Sequence, residues 1–189
     1  MELPLFVGIP TPDGRAPVMT INALKDMEGE IGRKVFPMVA QGSSIVKNRN
    51  NIVKSIQELV PNYQSSVPML WLDSDIFLDY ASIPGVAKMV KYVEGYAGSG
   101  KLAVSPNYYM STGISSLALP NGHHPHVKEL KHLQQLSYAG MGFLMVDMPL
   151  YYQFHSGPLG EDVYFFEEAG IELLYWEGVR LWHQKLMVV

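Results

Sequence analysis

The sequence predicts an α/β domain in which helices flank a mostly parallel central sheet. Most of its strand-like runs are apolar at consecutive positions instead of alternating, as expected for strands that are buried on both faces. Helix-like segments separate several of these runs, and this order is typical of parallel α/β sheets. With 189 residues, 48% of them hydrophobic, the chain can bury the core of a single domain, residues 1–189.

The elements follow from the positions of these runs. Strands are predicted at residues 5–9, 34–40, 68–73, 101–105, 142–147, 171–176 and 179–183. Helices are predicted at residues 19–30, 45–60, 83–97 and 160–169. Ligands of such sheets bind beyond the carboxyl ends of the strands, so polar residues that follow a strand are the first site candidates.

Composition and charge exclude several classes of function. The net charge of −4 provides no broad basic face for nucleic acid or an anionic membrane. The absence of cysteine excludes disulfides, iron–sulfur clusters, thiolate zinc sites and a cysteine nucleophile. The start of the chain resembles no signal peptide, and no apolar run approaches the ~20 residues of a membrane helix. We therefore expect a soluble, cytoplasmic protein.

The segment "MLWLDSDIFLDY", residues 69–80, contains the strongest site signal. Its apolar strand ends in Asp73 and Asp75, and carboxylates rarely enter an apolar interior without a compensating partner. Two carboxylates that flank one small residue can face a single cation, and oxygen ligands suit Mg²⁺ or Mn²⁺. The same spacing also occurs in ordinary turns.

Arg49 is the second unusual residue. It falls within the apolar stripe of the predicted helix 45–60, where a guanidinium that cannot lose its proton needs an anion. One hypothesis is a structural salt bridge to Asp73 or Asp79. The other, favoured by the Asp-Ser-Asp spacing, is that Arg49 and the carboxylates line a site for a phosphate-bearing ligand.

Several motifs together resemble one family. Their order is "VGIPTP", "SSIVKNRNNIVKSI", "MLWLDSDIFL", "GMGFLMVD", "GEDVYFFEEAGIEL" and "VRLWH". Through most of the chain, this order resembles the GT-A nucleotide-sugar glycosyltransferases, especially the inverting family-2-type group. The resemblance implies a Rossmann-like GT-A fold with a small antiparallel addition near the C-terminal half. It also implies a nucleotide-sugar-binding half at 1–105 and an acceptor and catalytic half at 106–189.

The family's function is metal-dependent transfer of a hexosyl group, with inversion expected, from a nucleoside diphosphate sugar to a hydroxyl of a glycan or protein acceptor. By resemblance, Asp73 and Asp75 contact the ribose and the Mn²⁺ or Mg²⁺ ion. The pair Arg49 and Asn50 matches residues that border the nucleotide. The remaining candidates for donor binding are Pro10, Thr11 and Ser74.

The resemblance also supplies catalytic candidates. The Glu-Asp pair before the last helix matches the catalytic base, with Asp162 as first choice and Glu161 as second. His183, at the end of a late strand, matches a third metal ligand. Each has a plain alternative, because acids suit helix N-termini and a lone histidine near a strand is often a core residue. "GMG", residues 140–142, is interpreted as a turn that lets the acceptor approach closely.

Two features depart from the family pattern. The chain is short, so the part that shapes acceptor binding is either reduced or supplied by a partner. The polar segment 119–135 has no family counterpart and predicts an exposed loop instead of a zinc site. Its histidines are His123, His124, His126 and His132.

Other functional classes have weaker support in the sequence. "GYAGSGKL", residues 95–102, resembles a phosphate-binding loop of an NTPase, but Leu102 stands where Ser or Thr should hold magnesium, and a strand follows instead of a helix. "VGIPTPDGRAP" is a poor version of a nucleotidyltransferase phosphate loop. A non-catalytic protein that binds nucleotide sugars stays open as the main alternative.

Overall fold

A computed structural model of the protein describes residues 3–15, 18–60, 65–96, 98–110 and 113–183. The strands in these ranges are Leu5–Thr11 (β1), Val35–Gln41 (β2), Ser66–Leu72 (β3), Ile76–Leu78 (β4), Leu102–Ser105 (β5), Leu117–Ala118 (β6), Tyr138–Ala139 (β7), Phe143–Pro149 (β8), Glu172–Tyr175 (β9) and Leu181–His183 (β10). The helices are Val18–Ile31 (α1), Ile45–Leu59 (α2), Ile83–Glu94 (α3) and Glu161–Ala169 (α4).

Six strands form the central sheet, in the order β2-β1-β3-β8-β5-β9. All of its pairings are parallel except those of β8, which runs antiparallel to both β3 and β5. The α/β fold class with a mostly parallel sheet is therefore confirmed. Two small antiparallel sheets, β10-β4 and β6-β7, accompany it.

Helices cover both faces of the sheet. Apolar residues of α2 and α4, such as Ile56 and Phe165, share one buried cluster with side chains on one face of the sheet. Residues of α1 and α3, such as Met27 and Val86, share a second cluster on the opposite face. Burial on both faces explains why the central strands are apolar at consecutive positions.

Each predicted strand and helix is found within a few residues of its expected bounds. The direction of β8 could not be read from its apolar pattern, because strands buried on both faces look alike in either direction. The run at 179–183 lies outside the central sheet, because its strand β10 pairs with the short β4.

Gly8 in β1 allows an unusually close packing in the centre of the sheet. It lies opposite Trp71 of β3, and a Cβ at this position would lie 2.6 Å from Cζ3 of the indole ring. Trp71 is fully buried. The absence of a side chain at Gly8 therefore makes room for this ring next to the candidate site.

Within the described ranges, every helix is too short or too polar to cross a lipid bilayer.

Candidate functional site

The Asp-Ser-Asp motif lies where the sequence predicts it, at the carboxyl end of a central strand. β3 ends at Leu72, and residues 73–75 form the turn that leads into β4. The amide of Asp73 donates to the carbonyl of Gly142 at 2.9 Å, and its carbonyl accepts from the amide of Ile76 at 3.1 Å. These two bonds fix the turn against the start of β8.

Arg49 connects this turn to the start of α4. Its side chain is 2% exposed, and Nη1 lies 2.7 Å from both Oε1 of Glu161 and Oδ1 of Asp162. Nη2 lies 3.6 Å from Oδ1 of Asp73. These four residues, Arg49, Asp73, Glu161 and Asp162, form what we term the Arg49 cluster.

Two aromatic rings help to bury the guanidinium. Cζ of Arg49 lies 5.8 Å from the ring centroid of Trp71 and 5.9 Å from that of Phe154. Rings at this distance attract a cation through their quadrupole and exclude water from it. The salt bridges of Arg49 therefore operate in a poorly solvated setting.

The expected contact of Arg49 with Asp73 is present, whereas the described Asp79 makes no salt bridge with Arg49. Oδ1 of Asp79 accepts from the amide of Ala81 at 3.1 Å and begins a 3₁₀ turn at residues 80–82. No signal in the sequence identified Glu161 and Asp162 as the nearest partners of Arg49. Their positions at the start of α4 bring them to the same edge of the sheet as the end of β3.

Both carboxylate oxygens of Asp162 have partners. Oδ1 pairs with Arg49, whereas Oδ2 lies 3.2 Å from the amide nitrogen of Met141 and 3.5 Å from the hydroxyl of Tyr138. In Glu161, by contrast, only one of the two carboxylate oxygens, Oε1, has a hydrogen-bond partner among the described residues. Asp162 is thus more firmly anchored than Glu161.

The "GMG" turn packs against a buried tyrosine. Gly142 donates its amide to the hydroxyl of Tyr108 at 3.1 Å. A Cβ on Gly140 or Gly142 would lie within 2.6 Å of that hydroxyl, so the two glycines make room for Tyr108. Tyr108 and Tyr138 were missed in the sequence because no motif or spacing links them to the acids.

The Arg49 cluster holds three acids and one arginine, and burial and the charges of these groups shift the pKa values of Asp73 and Arg49. Burial is the largest cause that raises the pKa of Asp73, to about 6; Arg49 opposes the rise, and the nearby acids add to it. The Asp73 side chain is 31% exposed, but its Oδ1 is buried and has no hydrogen-bond partner in the part of the chain that the structure describes. For Arg49, burial lowers the pKa, but Asp162, Asp73 and Glu161 together raise it above its usual value.

The two residues predicted from the first strand lie at the end of β1. Pro10 and Thr11 line a small cavity of about 120 Å³ beside the start of α2. The Thr11 hydroxyl donates to Oδ1 of Asp13 at 3.0 Å. Ser74 lies in the turn between Asp73 and Asp75, partly exposed.

Asn50 faces the chain segment before α4. Its amide nitrogen donates to the carbonyl of Phe154 at 2.8 Å, and its oxygen accepts from the amide of Phe154 at 2.7 Å. This two-point contact holds Phe154 where its ring covers Arg49. In this structure Asn50 thus positions a loop.

The predicted metal ligands are partly described. The backbone of His183 lies opposite Ile76 in the β10-β4 pair, one residue from Asp75, whereas its side chain lies outside the described part of the structure. Among the side chains that are described, no group of three or more histidines, cysteines or acids has the arrangement of a metal site. The predicted role of His183 stays a prediction.

The histidines of segment 119–135 make separate local contacts. His123 pairs with Glu129, and Nδ1 of His124 lies 2.9 Å from the carbonyl oxygen of Leu117. His126 caps a 3₁₀ turn at residues 127–129, and the ring of His132 packs edge-on against Trp176. This arrangement agrees with the predicted loop.

The glycine-rich segment 95–102 joins the end of α3 to β5. The amide of Gly100 donates to Oδ2 of the buried Asp147 at 2.7 Å, and Lys101 is exposed. A helix precedes the segment and a strand follows it, which is the reverse of a phosphate-binding loop. The rejection of an NTPase motif is consistent with this geometry.

Comparisons with known proteins find no family and a distant structural likeness. No family model and no curated protein matches the chain. A solved structure, the crystal structure of a glycosyltransferase involved in the glycosylation of the major capsid of PBCV-1, is similar at 14% identity and a TM-score of 0.38. The match covers 76% of this chain and 60% of that one, so this chain aligns with less than two thirds of its neighbour's length. A likeness at this level assigns no function.

Proposed function

We propose that the protein is a glycosyltransferase that moves a sugar from a nucleoside diphosphate sugar to an acceptor hydroxyl with the help of Mn²⁺ or Mg²⁺. The observation that carries this proposal is the Arg49 cluster. Acids from the end of β3 and from the start of α4 meet there on one buried guanidinium, at the carboxyl edge of the sheet where ligands of α/β folds bind.

The residues at the end of β3 suit a divalent cation. Oδ1 of Asp73 is a buried oxygen that accepts no hydrogen bond from any described residue and lies 3.6 Å from Nη2 of Arg49, and Asp75 lies in the same turn. Carboxylate oxygens are the preferred ligands of Mg²⁺ and Mn²⁺. Asp73 and Asp75 would hold the metal, which when bound would supply positive charge to a departing diphosphate.

The acids at the start of α4 would remove the proton of the acceptor hydroxyl. Asp162 is the first candidate for this general base, and its carboxylate is held in one orientation by Arg49 and by the amide of Met141. A positioned general base contributes about 10²- to 10⁴-fold to a rate. Glu161, whose carboxylate has fewer hydrogen-bond partners among the described residues, is the second candidate.

Calorimetry of the protein with UDP- and GDP-linked sugars, with and without Mn²⁺, tests the proposal directly. Metal-dependent donor binding, followed by release of nucleoside diphosphate on incubation, is the expected result. Donor binding without any release, even with varied acceptors, would favour the non-catalytic sugar-nucleotide binder. No donor binding at all would reject both functions.

A further inference from the structure

A groove on the outer side of α2 has features of a second ligand site. It has a volume of about 460 Å³, within the roughly 300–1,000 Å³ of typical small-molecule sites. One wall is α2 and the other is the segment 151–153, which follows β8. Its polar lining residues include Asn51, Lys54, Gln57, Tyr151 and Gln153.

Two amide side chains of α2 fix the wall that segment 151–153 forms. Gln57 donates to the carbonyl of Leu150, and Asn50 holds Phe154 at both backbone groups. Between these points, Tyr151 and Gln153 make no backbone hydrogen bond to any described residue. The segment 151–153 is therefore held in place at both ends, and the exposed side chains of Tyr151 and Gln153 lie between these two points.

The chemistry of the lining selects the class of ligand. Carboxamides offer donors and acceptors together, which matches neighbouring sugar hydroxyls that also donate and accept. Tyr151 is 68% exposed, so its ring offers a flat apolar surface with a polar tip. Among the described residues, a single lysine and no carboxylate line the groove, a charge too small for a polyphosphate or nucleic acid.

We propose that this groove, here called the α2 groove, binds a short saccharide, with Tyr151 stacking on a sugar ring and Asn51, Gln153 and Lys54 bonding its hydroxyls. Phe154 lies between the groove and Arg49, since its backbone is held by Asn50 and its ring covers the guanidinium. The site is therefore separate from the Arg49 cluster. The proposal does not depend on sugar transfer.

Saturation-transfer NMR and calorimetric titration with cellobiose, maltose, N,N′-diacetylchitobiose and digalacturonic acid test the proposal. At least one of these saccharides should bind with a dissociation constant in the millimolar range or lower. Tyr151→Ala should weaken that binding at least fivefold, and Asn51→Ala should also weaken it. Both residues are exposed, so their variants should fold normally, which the melting temperature checks.

Tyr96→Ala provides the matched control, because Tyr96 is 51% exposed just after α3 and lies outside the groove. It should leave saccharide binding unchanged. Failure of all four saccharides to bind overturns the proposal. Binding that persists unchanged in Tyr151→Ala and Asn51→Ala also overturns it, since the saccharide would then occupy another surface.

Discussion

Nη1 of Arg49 lies 2.7 Å from Oδ1 of Asp162, in a salt bridge that joins α2 to the start of α4. The guanidinium is almost wholly buried, and the same nitrogen also contacts Glu161. A buried cation with several acidic partners strongly affects the free energy of folding when either side is removed. Arg49 is therefore the first target for substitution.

Replacement of Arg49 by methionine should destabilise the metal-free protein by about 3–5 kcal/mol near pH 8, because three acids lose their buried cation. Urea unfolding measures the change. Arg15→Met is the control. The Arg15 side chain is 88% exposed, so the free energy of unfolding of this variant should differ from that of the wild type by no more than about 0.5 kcal/mol. If Arg49→Met weakens folding but leaves donor affinity intact, the residue is a structural ion partner only.

The raised pKa of Asp73 predicts a pH-dependent stability in chelator. The pKa of this carboxyl is about 6 in the folded state, above the ordinary aspartate value of 3.8 that represents the unfolded chain. Between these values the folded state binds more protons, so the contribution of Asp73 to stability is full below pH 4 and is lost as the pH rises through about 6. The loss should be about 1–3 kcal/mol.

Asp73→Asn tests this assignment, because asparagine does not titrate. The difference in unfolding free energy between the variant and the wild type should shift in favour of the variant as the pH rises from 4 to 7. Urea titrations at several pH values give this difference. A difference that stays constant with pH would mean that another group is responsible for the titration.

Asp75→Asn should abolish the dependence of donor binding on Mn²⁺. Two carboxylates at one turn repel a diphosphate unless a cation lies between them, and the variant removes one of the two charges. Calorimetric titration with UDP- and GDP-linked sugars, in Mn²⁺ and in chelator, provides the measurement. Equal affinity in all four combinations of protein and buffer would show that the metal site is misassigned.

Asp162→Asn should lower donor hydrolysis by at least about 10²-fold while donor binding persists, since asparagine cannot accept the proton. Water replaces the unknown acceptor in this assay, and released nucleoside diphosphate is the readout. Glu161→Gln, at the adjacent position, is the comparison and should have the smaller effect. The opposite ranking would assign the base to Glu161.

Gly8→Ala should destabilise the protein by about 1–3 kcal/mol, because the new methyl group would overlap the Trp71 ring. Thermal unfolding with the tryptophan fluorescence as signal follows both stability and the ring environment. Gly29→Ala in α1 is a suitable control, since a Cβ at Gly29 would have no atom within 4 Å and alanine favours helices by about 0.5–1 kcal/mol. An unaffected Gly8→Ala protein would contradict the close packing.

Much of the fold could be predicted from local sequence. The continuous apolar runs and the periodic apolar stripe of α2 are signals within short windows, and they located the strands and the buried Arg49 respectively. The turn at Asp73 and Asp75 followed from an apolar strand that ends in acids. These features depend on neighbours along the chain.

The contacts of the site could not be predicted in the same way. The sequence contains no local signal that Glu161 and Asp162 approach Arg49, because that contact depends on which strands are adjacent in the sheet. Tyr138 and Met141 reach Asp162 only because β8 inserts next to β3. Antiparallel insertion of a strand late in the chain is a long-range property.

The position of β8 has a consequence during synthesis on the ribosome. Until residues 143–149 have emerged, β3 has β1 as its neighbour but lacks the partner on its other side. A nascent chain that stops before this point would present free backbone groups along the open edge of β3, a strand that is otherwise wholly buried, and this favours aggregation. Truncated forms of the protein are therefore expected to need a chaperone, whereas the completed chain covers that edge itself.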